Sequence, residues 1–231
     1  MDDLRLYKFG KRNRICNLIH KGQLCLTPAS QYGEDGLSKG AFDPEELSFK
    51  QTLPEGAKFE AFCGKTGRSK GNFDVVGESL CEAYSETNYY VFCMAYQYLH
   101  EFYKEFDADS CLVIVDPDRF INQACKSIMK SLPGWFINAG TVRYKSKKVF
   151  YSLWPSYDDI FYGKDSDSYG HQYEIRIVCV PPEPIKKLSR KIVSIGNLYG
   201  YTFITGVERP NSMIESEHSN ALGSPFKCMQ S

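Results

Sequence analysis

The chain has 231 residues, 42% of them hydrophobic and 24% charged, which is typical of a globular protein and excludes a disordered or fibrous one. Lysine plus arginine and aspartate plus glutamate each total 28, so the formal net charge is zero. That balance disfavours a protein that coats DNA without sequence preference, but it permits a local basic groove. The length favours one domain spanning residues 1–231.

The N-terminal residues and the cysteines favour a cytoplasmic protein that does not contact membranes. Met1–Arg5 lacks the apolar core of a signal peptide, and no apolar run reaches membrane-spanning length. The nine cysteines are an odd number, and Cys93 and Cys179 lie in apolar runs, as reduced and buried thiols do. The sequence has no CxxC pair of the kind that forms zinc sites, so we expect no bound metal.

The N-terminal part of the chain predicts a strand, a helix and a second strand. Leu4–Phe9 alternates as a short strand, and Arg12–Lys21 carries apolar residues at helical spacing. Leu24–Thr27 forms the second strand, which Pro28 ends. From about residue 36 to residue 86 the pattern loses its periodicity, and glycine and serine are frequent. A stretch of that kind inside one domain predicts an insertion or a lid.

Order returns at residue 89, where a continuous apolar run predicts a strand covered on both faces. Asp116-Pro117 is a strong helix opening, with a capping carboxylate followed by proline at the first helical position. The predicted elements are a strand at Tyr89–Met94, a helix at Tyr96–Phe106, a strand at Cys111–Val115, a helix to about Ser131, a hairpin of 139–144 with 148–153, and strands at Tyr173–Val180, Ile192–Ile195 and Tyr201–Ile204. This order predicts an α+β domain with a mixed or antiparallel sheet and helices packed on it.

The strand at Tyr173–Val180 opens with polar residues. Gln172, Glu174 and Arg176 occupy every second position, so we expect their side chains on one face. In one interpretation that face meets water, and Glu174 pairs with Arg176 or with a nearby lysine. In the other, Glu174 lies at the mouth of a cleft and stabilises an oxocarbenium-like centre, while Gln172 orients the nucleophile.

Two blocks of the chain resemble an uncharacterised bacterial domain family. Leu6–Phe9 and Leu24–Tyr32 are similar to that family's "LYKY" strand and to its strand ending in "SPSDFNDPFE". This chain has Tyr-Gly-Glu-Asp at 32–35 where the family has Asn-Asp-Pro-Phe-Glu. Lys164–Tyr169 and Tyr173–Val178 are similar to the family's "KD..Y..E.E.R.V" block.

The order of an early basic strand, a G-x-L-x-L-T-P strand and a late Gln-x-Glu strand also resembles ADP-ribosyltransferases. The resemblance implies a split, two-sheet fold that holds NAD, the substrate, in a central cleft. It implies that Glu174 is the catalytic carboxylate and that Gln172 orients the acceptor. The NAD-binding residues it implies are Lys8 or Arg12 at the phosphates or ribose, and Thr27 and Ser30 at the nicotinamide.

The chemistry of NAD adds candidates to this set. Lys8, Arg12 or Arg14 can pair with a pyrophosphate, although each is more often a solvated surface charge. Nicotinamide favours an aromatic platform, for which Tyr32 is a candidate, although most tyrosines in so aromatic a chain are core residues.

Candidates for contact with an acceptor lie shortly before Glu174. Trp154, Tyr157 and Tyr162 belong to a polar loop and can stack on a nucleobase, or they can form a hydrophobic plug under the loop. Arg143 begins the densest basic cluster, which can contact a nucleic-acid backbone or can simply be a charged hairpin tip.

We therefore expect an NAD-dependent ADP-ribosyltransferase that modifies a base of RNA or DNA first and a protein second. The resemblance favours a bacterial toxin or an anti-phage effector, which implies a neutralising partner such as an antitoxin. The alternatives are a non-catalytic sensing or interaction module of the same fold, and a hydrolase acting on NAD or nucleic acid.

Overall fold

The computed structural model describes residues 4–62, 68–77, 79–146 and 157–206. Its strands are β1 (Leu6–Gly10), β2 (Gln23–Pro28), β3 (Ser48–Leu53), β4 (Lys58–Phe62), β5 (Ser69–Asp74), β6 (Ser79–Tyr84), β7 (Tyr90–Ala95), β8 (Ser110–Ile114), β9 (Phe136–Thr141), β10 (Arg143–Lys145), β11 (Gly163–Asp165), β12 (Glu174–Val180), β13 (Lys191–Ser194) and β14 (Thr202–Gly206). Its α-helices are α1 (Arg12–Lys21), α2 (Phe102–Glu105), α3 (Pro117–Ser131), α4 (Tyr157–Tyr162) and α5 (Ser166–Tyr169). The α+β class is therefore confirmed.

The largest sheet is antiparallel and branches at β7. Its order is β13-β2-β7-β1-β8-β14, and β12 pairs with β7 on one side and with β9 on the other. β12 covers the whole length of one edge of β7. On the opposite edge β2 pairs with Tyr90 and Val91, whereas β1 pairs with Ala95. The strands β1 and β2 therefore separate along β7 between Val91 and Ala95.

One face of this sheet, which we call the helix face, is covered by α1 and α3. Asp116 caps α3 by accepting a hydrogen bond from the backbone nitrogen of Arg119 at 3.0 Å, as the Asp-Pro pair predicts. The helix face is apolar throughout its core, which includes Leu6, Ile15, Leu18, Leu24, Leu26, Phe92, Leu112, Phe120, Ala124, Ile128, Ile177 and Cys179.

The opposite face carries a second apolar cluster and a group of buried charges. We call it the strap face, because residues of the segment 40–46, the strap, contact these charges. The cluster consists of Ala29, Tyr89, Val91, Ile160, Phe161, Tyr162, Val178 and Val180. Strand β12 contributes to both faces, because Ile177 and Cys179 point one way while Val178 and Val180 point the other. Glu174 and Arg176 have the same parity as Val178 and therefore lie on the strap face.

The aperiodic region from 36 to 86 contains two antiparallel pairs, one nested inside the other. β3 pairs with β6, and β4 pairs with β5 between them. β5 is exposed at every residue. A strand with no buried face has no reason to alternate apolar and polar residues, which explains why the sequence pattern does not reveal it.

Several predicted boundaries are wrong. The helix predicted at Tyr96–Phe106 is only the single turn of α2. β10 pairs in parallel with β11, and the predicted hairpin partner at 148–153 lies outside the described residues. Strand β12 starts at Glu174 because Tyr173 has a left-handed backbone, with φ of 47°. Among the described helices, none combines the length and the apolar character that crossing a bilayer requires.

Candidate functional site

Glu174 is buried at the start of β12, with 5% of its surface exposed. One carboxylate oxygen, Oε1, lies 2.9 Å from Nε and 2.8 Å from Nη2 of Arg176. The other oxygen, Oε2, lies 3.1 Å from Nζ of Lys164 on β11. The interpretation of a strand whose polar face meets water is therefore wrong, and the ion pair between Glu174 and Arg176 is confirmed.

Two further carboxylates complete this group. Glu46 Oε1 accepts a hydrogen bond from Nη1 of Arg176 at 2.7 Å, and Glu46 Oε2 lies 3.8 Å from Nζ of Lys164. Asp43 Oδ2 lies 3.3 Å from the same Nζ. We call Asp43, Glu46, Lys164, Glu174 and Arg176 the ionic cluster. All five side chains are buried, and three potential anions face two cations.

Because carboxylates outnumber cations in the cluster, the pKa values of Glu174 and Glu46 differ widely. Burial alone would raise the pKa of Glu174, but Arg176 and Lys164 outweigh burial and lower the pKa to about 2. Burial raises the pKa of Glu46 to about 7, because the repulsion of Asp43 and Glu174 partly offsets the attraction of the two cations. Near neutral pH, Glu174 is therefore ionised and Glu46 is close to half protonated.

The cations remain charged in spite of their burial. Burial by itself lowers the pKa of Lys164, but Glu174, Glu46 and Asp43 together raise the pKa above its usual range. Arg176 is 1% exposed, and Nη1 also donates to the carbonyl oxygen of Phe161 at 2.9 Å. Each cation is held by more than one acceptor, as a buried charge requires.

Asp43 and Glu46 come from a segment that crosses the end of β12, Gly40–Glu46, which we call the strap. The backbone nitrogen of Asp43 donates to the carbonyl oxygen of Tyr32 at 2.7 Å. Tyr89 donates its hydroxyl hydrogen to the carbonyl oxygen of Glu46 at 2.6 Å. These bonds place Asp43 against Lys164 and Glu46 against Arg176.

The other end of the strap is fastened to α2. The backbone nitrogen of Gly40 donates to the carbonyl oxygen of Glu105 at 2.9 Å, and Nε2 of Gln172 donates to the carbonyl oxygen of Gly40 at 3.0 Å. A Cβ atom at Gly40 would lie 2.7 Å from both Glu105 and Phe106, so this close approach requires glycine. The amide of Gln172, predicted to orient an acceptor, holds the strap in this structure.

Of the predicted NAD-binding residues, Tyr32 comes close to Glu174, whereas the side chain of Lys8 extends on the helix face, 4.8 Å from the centre of the Phe92 ring. Nζ of Lys8 donates to the carbonyl oxygen of Cys93 at 2.7 Å, at the point where β1 and β2 separate along β7. The hydroxyl of Tyr32 lies 3.8 Å from Sγ of Cys93. Burial, and then the charge of Glu174, raise the pKa of the Cys93 thiol to about 12, so it is protonated and is not a nucleophile.

The remaining predicted NAD-binding residues lie elsewhere. Thr27 pairs with Val91, and Ser30 accepts a hydrogen bond from Nδ2 of Asn88 at 2.7 Å, both toward the start of β7. Glu174 pairs with Ala95 at the other end of that strand. Arg12 is exposed at the first turn of α1, where its backbone nitrogen donates to Oδ1 of Asp109 at 2.6 Å.

The predicted acceptor-binding residues do not form one surface in the described part of the chain. Arg143 is 49% exposed in its side chain and pairs with Asp159 at 3.1 Å. Tyr162 is buried in the apolar cluster of the strap face, with its ring against Gly140. Tyr157 begins α4, and Trp154 lies outside the described residues.

Sequence reasoning missed Asp43, Glu46 and Lys164. The stretch Asp-Pro-Glu-Glu at 43–46 sits in the aperiodic region, where no pattern assigns burial to any residue. A usable signal existed in the polar start of β12: if Glu174 and Arg176 are buried, further charges must pair with them.

The described residues contain no group of three or more histidine, cysteine, aspartate or glutamate side chains arranged to hold a metal. Searches of protein-family models, curated proteins and solved structures find no match to this chain. The function is therefore inferred from the geometry of the ionic cluster and its neighbours.

Proposed function

We propose that this protein is an ADP-ribosyltransferase that moves ADP-ribose from NAD to a macromolecular acceptor. The observation that carries the proposal is the placement of Glu174. It is a buried and ionised carboxylate at the end of the branched sheet, with Tyr32 nearby. The split, two-sheet fold that the resemblance implies is part of this proposal, since β1 and β2 both pair with β7 within one eight-stranded sheet.

The reaction suits such a carboxylate. The bond between C1′ of the ribose and the nicotinamide nitrogen breaks, and nicotinamide leaves with the bonding electron pair. The positive charge left on the ribose is stabilised by an anion that accepts a hydrogen bond from the 2′-hydroxyl. An acceptor atom then bonds to C1′ and releases its proton to solvent. Because its pKa is about 2, Glu174 supplies the negative charge over the whole physiological range.

Two other predicted residues supply binding groups for the rest of NAD. Lys8 provides a positive charge at the branch of the sheet, and Tyr32 provides an aromatic ring for nicotinamide. A nucleic-acid base is the first choice of acceptor and a protein side chain the second. The proposed setting is a bacterial cytoplasm in which the enzyme acts as a toxin or anti-phage effector, with a neutralising partner.

A second candidate is a binding module that has the same fold and no activity. The observation that favours it is the direct engagement of both oxygens of Glu174 by Arg176 and Lys164. Buried structural ion pairs shift pKa values as strongly as catalytic sites do.

The test is to incubate purified protein with NAD labelled in its adenylate part, together with RNA, DNA and cell lysate in separate tubes. We expect transfer of label to one of these, and Glu174→Gln should reduce the rate by about 10²-fold or more. The control is Glu82→Gln, the same chemical change at a residue of β6 that pairs with Lys50 at 3.1 Å. It should keep the wild-type rate.

Four other outcomes contradict the proposal. Free ADP-ribose without transfer of label identifies an NAD hydrolase. No release of nicotinamide in any tube favours the binding module, as does cell toxicity that survives Glu174→Gln. Equal losses of rate in Glu174→Gln and Glu82→Gln would remove Glu174 from the reaction. Circular dichroism of each variant confirms that the measured protein is folded.

A further inference from the structure

The strap closes the site at which the proposed reaction takes place. Asp43 and Glu46 lie against Lys164 and Arg176, which also hold the carboxylate of Glu174. A substrate cannot reach Glu174 from this side while the strap carboxylates are in place. The strap therefore does more than connect the short 3₁₀ helix at Ala29–Gly33 to β3.

The two cations carry the chemistry that a phosphate group needs. Arginine offers a planar set of N–H donors that matches two oxygens at once, and lysine adds a point charge. Glu46 receives such a two-oxygen contact, with Oε1 at 2.7 Å from Nη1 and Oε2 at 3.4 Å from Nη2 of Arg176. The oxygens of Glu46 thus occupy positions that phosphate oxygens can take.

The charge balance makes the strap replaceable. With Glu174 ionised, the two cations retain one net positive charge, which an outside anion can neutralise in place of the strap carboxylates. Lys164 also borders a small surface depression of about 10 Å³, which is lined in addition by Asp43, Glu45, Lys50, Asp165 and Tyr169. Before the strap, Gly36 has a positive φ of 89°, which favours glycine, and no atom lies within 4 Å of the place where a Cβ would be.

We propose that Lys164 and Arg176 form a binding site for a diphosphate group, which Asp43 and Glu46 occupy in the closed state and leave when the ligand binds. The inference rests on the proposed function for the identity of the ligand, the pyrophosphate of a dinucleotide. The strap is then an autoinhibitory contact, and binding of the diphosphate uncovers Glu174.

The test uses the full chain and inorganic pyrophosphate. Hydrogen exchange of the wild-type protein is measured by mass spectrometry with and without the anion. We expect faster exchange in peptides covering 40–46, because the amide of Asp43 loses its bond to Tyr32 when the strap leaves. Titration calorimetry should show about tenfold tighter binding of pyrophosphate to Glu46→Gln than to wild type, because a neutral amide competes less well for Arg176.

Two further variants make the assignment specific. Glu82→Gln changes the net charge by the same amount away from the cluster and should bind pyrophosphate as the wild type does. Lys164→Met in the Glu46→Gln background should remove the gain. Unchanged exchange in the strap of the pyrophosphate-bound protein overturns the proposal, and so does equal tightening in Glu46→Gln and Glu82→Gln. Absence of binding to both wild type and Glu46→Gln also overturns it.

The exchange measurement needs no variant, so a variant that fails to fold leaves the proposal testable. Pyrophosphate that opens the strap in a protein with no transferase activity supports this inference while the proposed function fails. Transfer of label by a protein whose strap does not respond to pyrophosphate supports the proposed function while this inference fails.

Discussion

The two faces of β12 solve the problem of burial in different ways. On the helix face, Ile177 and Cys179 pack among apolar side chains from α1, α3 and the neighbouring strands. On the strap face, Glu174 and Arg176 are equally inaccessible to water, but they are held by ion pairs with partners from distant parts of the chain. One strand therefore separates an apolar core from a buried ionic cluster.

The difference shows where the protein obtains stability and where we propose its functional site. Apolar burial stabilises a fold at about 25 cal/mol per Å², with no dependence on pH. A buried ion pair returns little more than the cost of removing its charges from water, so replacing the whole pair by apolar residues is often neutral. A five-member cluster with a surplus of carboxylates is thus poorly explained by stability alone, which agrees with a role in binding or catalysis.

The largest expected effect comes from the helix face. Phe120→Ala removes a ring that is fully buried between α3 and β7, and it should lower the free energy of unfolding by about 4 kcal/mol. The loss should be the same at pH 5 and at pH 8, because no charge near the ring titrates in the core that surrounds it. Urea denaturation at the two pH values measures it. A loss that changes with pH would show that the two faces are coupled.

A smaller effect is expected for a buried cation of the strap face. Arg176→Met leaves Glu46 and Glu174 without their main partner and should cost about 3 kcal/mol at pH 8. The pKa of Glu174 then rises, and the pKa of Glu46, already about 7 in the wild type, rises further, so the folded variant binds protons as the pH falls from 8 to 5 and part of the loss is recovered. Arg143→Met, which removes a half-exposed charge, should cost less than about 1 kcal/mol. A loss in Arg176→Met that is identical at both pH values contradicts this account.

The smallest effect concerns a single proton. The pKa of Glu46 is raised from 4.5 to about 7 on folding, so the stability that its protonated form contributes is complete below pH 4.5 and is lost as the pH rises through 7. Glu46→Gln keeps a neutral side chain at every pH. Its free energy of unfolding should therefore increase relative to wild type by about 2 kcal/mol between pH 5 and pH 8. Thermal unfolding across this range checks the sign, and a constant difference refutes it.

The sequence predicted the elements of the sheet better than it predicted the site. Asp116-Pro117 predicted α3, and the apolar runs predicted β7, β8 and β12, because caps and periodicity depend on a few neighbouring residues. Tyr96–Phe106 shows the limit of the same reasoning: apolar spacing there predicted a full helix, but the residues form one turn that packs around Phe9.

For the site, the alternation of Glu174 and Arg176 along one strand was sufficient to place them on one face. It did not decide between water and a buried cluster. Glu46 is 130 residues away from Arg176 along the chain, and it belongs to a region without periodicity. No local pattern connects two such positions, so only the folded chain reveals their contact.

The amino-acid sequence alone determined most strands and helices, the α+β class and the unusual carboxylate in the clearest strand. Each of these depends on short-range spacing or on local capping. Tertiary structure decided that the carboxylate is buried, which cations hold it and which segment covers it. Burying a charge is tolerable only when opposite charges arrive from other parts of the chain, and that meeting is a property of the whole fold.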